Sequence, residues 1–464
     1  MEMHEYLDLL TDQIRNKKAK QEVEQEIKRH IEDQALAYME QGMEEKKAYQ
    51  EAVCQMGSPM EVGIDMDRIH RPKNNWPVLG LAVLLSLAGL LVQYFCICRF
   101  GAEDAFGPVL KDRFIRQCIY TLFGLCVMGF LYLCDYTIFS RYGRVIGFLF
   151  LAAIAMACGL NLIPIMNGGH SYMKAIMYLF IPIYGGILFR YQGKGYTGII
   201  CSLLWLLAAA YTAFAVIAGG IGITADVMFV CALMFLWSLF KNWYQVARRS
   251  RPLIAAGVLA LVSGEYFFMN LQPYQIARVK AVMNPWAYAR DTAFQMTEVR
   301  KMIRQLKFLG GVTGSGTLEQ TSDHFLPDVH SSYVMLQAAS VWGILVAAVL
   351  AGLLILFLIC LFLMVKRQKN QLGQLIGYGC VLILALETVN HLLINLGFYF
   401  NSTAGLPFFT FGAYHTVAVY GILGIILSVY RYQNLIWERK QSDPVKHDRL
   451  IQVGRYRLHI DKIN

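Results

Sequence analysis

The chain has 464 residues, of which 56% are apolar and only 16% charged, with 27 Phe and 26 Tyr. Soluble globular domains carry more charge, so this composition excludes an ordinary soluble protein and predicts a polytopic membrane protein. The net charge is +10, yet residues 1–73 hold 16 acids against 11 Lys and Arg, so the basic excess lies wholly beyond them. With no basic and aromatic binding motif, that excess reads as the positive-inside signature of a membrane protein and excludes nucleic acid as the expected partner.

The N-terminus, MEMHEYLDLL, is acidic and amphipathic. It lacks a positive n-region and an apolar h-region, so no signal peptide is expected and the first span directs insertion. Residues 1–73 read as a small cytoplasmic helical bundle. In QEVEQEIKRHIEDQALAYMEQG, Val23, Ile27, Ile31, Leu36 and Met39 fall near helical spacing and Gly42 is a natural stop. A second helix is predicted from about 44 to 56, ended by Gly57. Ser58-Pro59-Met60-Glu61 then supplies an N-cap, Pro in the first turn and Glu three residues on.

From Trp76 the pattern changes to ten long apolar runs, at about 76–98, 117–134, 145–163, 175–189, 197–218, 222–240, 252–269, 338–365, 372–398 and 412–430. They predict an all-α fold of about ten transmembrane helices over 74–432, followed by a basic tail, 433–464. Arg141 and Arg144, Arg190 and Lys194, Lys241 with Arg248, Arg249 and Arg251, and Lys366 with Arg367 and Lys369 fall on alternate loops. The positive-inside rule puts those loops and both termini in the cytoplasm, and the long loop 270–337 outside.

Eleven cysteines are scattered with no CxxC pair and no Cys/His cluster, so neither a zinc site nor a disulfide framework is predicted. Cys96, Cys98 and Cys118 lie near the outer ends of the first two spans, as small apolar filler or as partners in one bridge. No cofactor motif is seen; a divalent cation is compatible with the chain but has no ligand motif.

The outer loop carries Arg278, Lys280, Arg290, Arg300, Lys301, Arg304 and Lys307 against Asp291 and Glu298. Beside lipid headgroups these cations suit either anionic phospholipid or a phosphate-bearing substrate. GGVTGSG, at 310–316, is either a backbone cradle for phosphate or a hinge. Within the membrane, Glu387, Asn390, His391 and Asn395 recur near helical spacing, and such polar residues line a cavity or bond spans together.

Three stretches now resemble a known family: NPWAYARDTAFQMTEVRKMIRQLKFLGGVTGSG from 284, FLPDVHSSYV from 325 and INLGFYFNSTAGLPFFTFGAYHTV from 394. In order and spacing they are similar to the FtsW/RodA/SpoVE (SEDS) proteins, clearly from 270 onward and by hydropathy before that. HIEDQALAYMEQG and AVCQMGSP are similar to the helical prefix domain found ahead of bacterial permeases, which implies contact with an unidentified cytoplasmic partner.

The SEDS resemblance implies a protein of the bacterial cytoplasmic membrane that polymerises lipid II, an undecaprenyl-pyrophosphate-linked disaccharide, in division, elongation or sporulation. It also implies a transpeptidase partner of the penicillin-binding class. Such chemistry needs a general base for a sugar hydroxyl and cations for the departing pyrophosphate. Arg278, Lys280, Arg300, Lys301, Arg304 and Lys307 suit the second role.

For the first role, the resemblance puts Asp328 at the family's Glu, His330 at its His and Ser332 at its catalytic Asp. A serine hydroxyl has no useful basicity unaided. Asp328 one helical turn away, His330, or Asp323 or Glu319 are the alternatives read from spacing. Further departures stand at GAYHTV from 412, NLIPIMNGGHSYMKAI from 161 and AGGIGITAD from 218. Three readings follow: a lipid II polymerase with an altered site or a degenerate lipid II-binding relative; a transporter or flippase of a lipid-linked or anionic solute; and an envelope-sensing regulator.

Overall fold

The computed structural model describes residues 1–15, 17–70, 72–101, 107–162, 171–217, 222–248, 250–269, 277, 280–290, 293–311, 332–398, 405–433, 451–453 and 456–458. They fall into two compact units, Met1–Arg71 with Asn434–Asn464, and Pro72–Gln433.

In the first unit, α1 (Met3–Asp12), α2 (Lys17–Glu40), α3 (Glu45–Gln55) and α4 (Pro59–His70) enclose a core of Tyr6, Leu10, Val23, Ile27, Ile31, Ala35, Ala48 and Val53. Gly42 ends α2 with φ of +93°. Leu36, expected on the buried face, is instead 54% exposed while Ala35 is fully buried. The face advances four residues at a time from Val23, and the next residue round is turned away by roughly 100°. In the tail, β1 (Ile451–Val453) pairs antiparallel with β2 (Tyr456–Leu458).

The second unit is all-α. Its helices are α5 (Trp76–Gly101), α6 (Gly107–Leu133), α7 (Ile138–Gly159), α8 (Phe180–Arg190), α9 (Gly195–Tyr211), α10 (Gly222–Phe240), α11 (Ser250–Met269), α12 (Phe294–Gln305), α13 (Val334–Trp342), α14 (Ile344–Lys366), α15 (Gln371–Asn395) and α16 (Ala413–Arg431). A 3-10 segment, Ser171–Leu179, leads into α8, and a π turn, Thr212–Ile217, continues α9.

Among the described residues, seven helical stretches are long and apolar enough to cross a membrane, and α9, α10 and α11 contribute three shorter apolar ones. These stretches fall on the ten predicted runs, and their helical form follows from the lipid. Hydrocarbon offers the backbone no hydrogen-bond partner, so each span must satisfy its own.

Burial ranks the spans. The α16 window is 78% buried and that of α15 67%, whereas that of α14 is 17% buried, so α15 and α16 form the centre and α14 faces lipid. α16 packs along α6 and the 3-10 segment, and Tyr420 on it donates to Ser86 on α5. Gln117 on α6 ties down the start of α16, accepting from the Gly412 amide at 3.1 Å and donating to Thr416 at 3.2 Å.

One predicted span is corrected. The run 338–365 is not one helix: the chain breaks at Gly343 between α13 and α14, with φ of +100°. A side chain there would be strained, and a Cβ would lie 2.7 Å from the Phe308 carbonyl oxygen. Hydropathy does not register such a break, because both helices are apolar. Cys118, suggested for a bridge, is a free thiol.

Candidate functional site

Helix α12 has alternating character that dictates its seat. Met296, Thr297, Val299 and Met302 are buried, whereas Lys301 and Arg304 are exposed. Val299 and Met302 pack with Tyr333 and Leu336, at the start of α13, and with Ile394 at the end of α15. This contact is the amphipathic rule in use: the apolar stripe finds the core and leaves the cations outward.

Beyond α12 the chain runs beside the α13–α14 break. Ile344 donates to the Lys307 carbonyl at 3.0 Å, Leu345 to Phe308 at 3.1 Å and Gly310 to Trp342 at 3.0 Å. The loop's basic segment is therefore hydrogen-bonded to the membrane unit by backbone as well as by side chains.

Ser332, the position of the expected catalytic carboxylate, is 2% exposed. Asn395 reaches it from α15: its amide nitrogen donates to the Ser332 carbonyl at 3.0 Å and to the His391 carbonyl at 2.8 Å, and its oxygen accepts from Leu336 at 2.9 Å. One side chain thus fixes the entry of α13 onto α15. Burial pushes the neighbouring Tyr333 phenol up to about 12, so it is no base near neutrality.

Of the proposed phosphate ligands, Arg300 donates through Nε to the Gly397 carbonyl at 2.8 Å and lies 5.3 Å over the Phe398 ring. Lys301 pairs with Glu298 at 2.6 Å. Arg304 sits 5.7 Å over Trp286, and Lys280 and Lys307 are exposed. Arg278, Asp328, His330, Asp323 and Glu319 lie outside the described residues, as does most of GGVTGSG. The structure therefore brings Ser332, Asn395 and the α12 cations to one end of the bundle.

The polar stripe on α15 divides. Glu387, His391 and Asn395 are buried on one face, and Asn390 is half-buried beside them. Oε1 of Glu387 contacts the Tyr178 hydroxyl at 2.7 Å and Nε2 of His415 at 2.7 Å. Asn390 donates to Oδ2 of Asp226, near the start of α10, at 2.8 Å. Lys174, on the 3-10 segment with Tyr178, is 1% exposed.

Sequence reasoning had met Lys174, Asp226 and His415 only within stretches that depart from the family pattern, and had assigned neither these nor Tyr178 to a site. A signal was present for Asp226, inside the run 222–240, and at the edge of the run 175–189 for Lys174. An ionisable residue inside an apolar run is costly there and marks an interior contact. Among the described residues, no group of three or more His, Cys, Asp or Glu is placed to hold a metal ion.

A central α15–α16 pair, a short buried α13 broken from α14, and a basic amphipathic helix docked at their shared end define an integral membrane protein with a polar site at one end of its bundle. The profile of FtsW/RodA/SpoVE proteins, described as "Cell cycle protein", matches residues 76–435, and the chain belongs to that family.

Among curated proteins, the chain is 22% identical over 395 residues to the probable peptidoglycan glycosyltransferase FtsW of Geobacter sulfurreducens, covering 80% of this chain and 98% of that one. It is 24% identical over 392 residues to the Coxiella burnetii protein of the same description, covering 77% and 96%. A solved structure, described as structural coordination of polymerization and crosslinking by a peptidoglycan synthase complex, superposes with a TM-score of 0.57 at 19% identity. It covers 78% of this chain and 98% of that one. That superposition supports the fold.

Proposed function

We infer that the chain acts in peptidoglycan synthesis, binding a lipid II-type substrate at the end of the bundle formed by α12, α13 and the C-terminal end of α15. The observation that carries this reading is α12 itself. Its apolar face is locked to Tyr333, Leu336 and Ile394, and Arg300, Lys301 and Arg304 are thereby held on its other side at the end of the bundle where Ser332 is seated. Guanidinium and ammonium groups at a lipid boundary bind a pyrophosphate more strongly than they would in open water. The names of the curated relatives support glycosyl transfer as the reaction. The similar synthase complex supports a transpeptidase partner of the penicillin-binding class.

In this reading the site faces the extracytoplasmic side, with the basic loops and both termini in the cytoplasm. A second reading is favoured by Ser332: capture of the lipid without turnover. The test is binding and polymerisation of purified lipid II by the full chain, with and without transpeptidase partners. Arg300→Ala/Lys301→Ala/Arg304→Ala is expected to weaken lipid II binding at least tenfold and to reduce its salt dependence. Unchanged affinity in that variant refutes the site, and binding with no product in any pairing selects the second reading.

A further inference from the structure

We propose that His415, held by Glu387, is the general base that replaces the missing carboxylate at Ser332; this rests on the glycosyl-transfer reading above. Four observations converge on the pair. His415 stands in the first turn of α16, and its Nε2 lies 2.7 Å from Oε1 of Glu387 on α15. The same oxygen accepts from the Tyr178 hydroxyl at 2.7 Å. An ionised Glu387 carboxylate only accepts, and in that state Nε2 is the protonated ring nitrogen and Nδ1 carries the lone pair. Nδ1 makes no hydrogen bond among the described residues, and the side chain keeps 12% of its exposure against 1% for Glu387.

The backbone is shaped around the ring. A Cβ at Gly405 would overlap the His415 imidazole, so the segment from Gly405 to Gly412 lies against it only because that residue is glycine. The other Glu387 oxygen, Oε2, is buried and takes no hydrogen bond among the described residues. A carboxylate so poorly solvated gains most when its partner becomes a cation, which is what proton transfer to His415 produces. A carboxylate that fixes imidazole tautomer and orientation is a recurring device for base catalysis.

Glu387 sits about two helical turns deeper in the bundle than the Ser332 seat, eight residues before Asn395 and roughly 12 Å along α15 from it. His415 is only the third residue of α16, at the same end of the bundle as Ser332 and the α12 cations.

In the reaction, an acceptor sugar hydroxyl oxygen bonds to the anomeric carbon of the lipid-linked donor. The bond from that carbon to the pyrophosphate oxygen breaks, and the polyprenyl pyrophosphate leaves with the electron pair. The hydroxyl proton passes to Nδ1 of His415 and is later released to water. The acceptor oxygen must come within hydrogen-bond reach of Nδ1, the ring edge turned away from Gly405, which packs against Nε2.

The experiment uses the full chain in nanodiscs with transpeptidase partners and purified lipid II, measuring binding and polymerisation separately. His415→Gln keeps a side-chain amide that can donate to Glu387 but has no basic nitrogen. It is expected to bind lipid II within about twofold of wild type and to lose on the order of 10²-fold or more in kcat with KM little changed. His415→Ala is expected to recover part of that rate when imidazole is added, which a purely structural role does not predict. His415→Gln polymerising at a rate near wild type overturns the proposal. A wild type that binds lipid II without turnover also overturns it while leaving the binding site intact, and a wild type that does not bind refutes both.

Discussion

Asn395 donates to the carbonyl of Ser332 across 63 positions of sequence, at 3.0 Å, from the last turn of α15. The position that lost the expected carboxylate has thus kept a rigid backbone seat. Its geometry is maintained by a side chain rather than by its own chemistry.

Replacing Asn395 by Ala removes three hydrogen bonds at once, two donated and one accepted. The Leu336 amide and the Ser332 carbonyl lose this partner in a buried setting, at about 1–3 kcal/mol for each group left unsatisfied. Asn395→Ala is expected to lower the detergent-resolved thermal midpoint and to raise hydrogen exchange at Leu336. Asn395→Asp, which keeps only the accepting half, is expected to be damaged as well.

Gly343→Ala tests the break between α13 and α14. With φ at +100° and the Phe308 carbonyl in the way, both strain and overlap oppose a side chain. A cost of roughly 1–3 kcal/mol is expected from backbone strain alone. Exchange protection at Ile344 and Leu345, whose amides bond the 307–308 segment, is expected to fall before that of the rest of α14.

Arg300→Lys is expected to behave as a non-conservative change. Nε of Arg300 bonds the Gly397 carbonyl while the guanidinium plane covers Phe398, a combination that an ammonium does not reproduce. The loss of about 1–2 kcal/mol from bond and ring contact together is readable as a lowered midpoint and weaker lipid II binding. Lys301→Arg, by contrast, is expected to be tolerated, because the Lys301 side chain is exposed and its partner Glu298 lies one turn away on the same helix.

Gly405→Ala acts on His415 without touching it chemically. The added Cβ is expected to push the imidazole off Glu387, lowering kcat with little change in lipid II affinity. Gly352→Ala, where a Cβ meets nothing within 4 Å, is the matched control and is expected to leave both unchanged.

The membrane unit was legible because the bilayer imposes a one-dimensional rule: a span needs a long apolar run, and each run from 76 to 430 became helical, that at 338–365 as two helices. The amphipathic α2 was readable through Val23, Ile27 and Ile31, but not its limit, since Leu36 and Ala35 differ by one residue and only packing decides which turns inward. The α13–α14 break escaped because it depends on where Phe308 passes, some 35 residues earlier in the chain.

The candidate site divides in the same way. Ser332, the α12 cations and the α15 stripe were visible as residue types at helical or motif spacing. Tyr178, Asp226 and His415 are single residues on three other elements, and their meaning arises only when α10, α15, α16 and the 3-10 segment pack together. Composition and periodicity by themselves determined that this protein is a helical membrane bundle with a basic polar loop, because burial of apolar surface is a local property of each segment. Which carboxylate meets which histidine was decided by tertiary structure alone, because a hydrogen bond of 2.7 Å between distant helices has no counterpart in the spacing of either one.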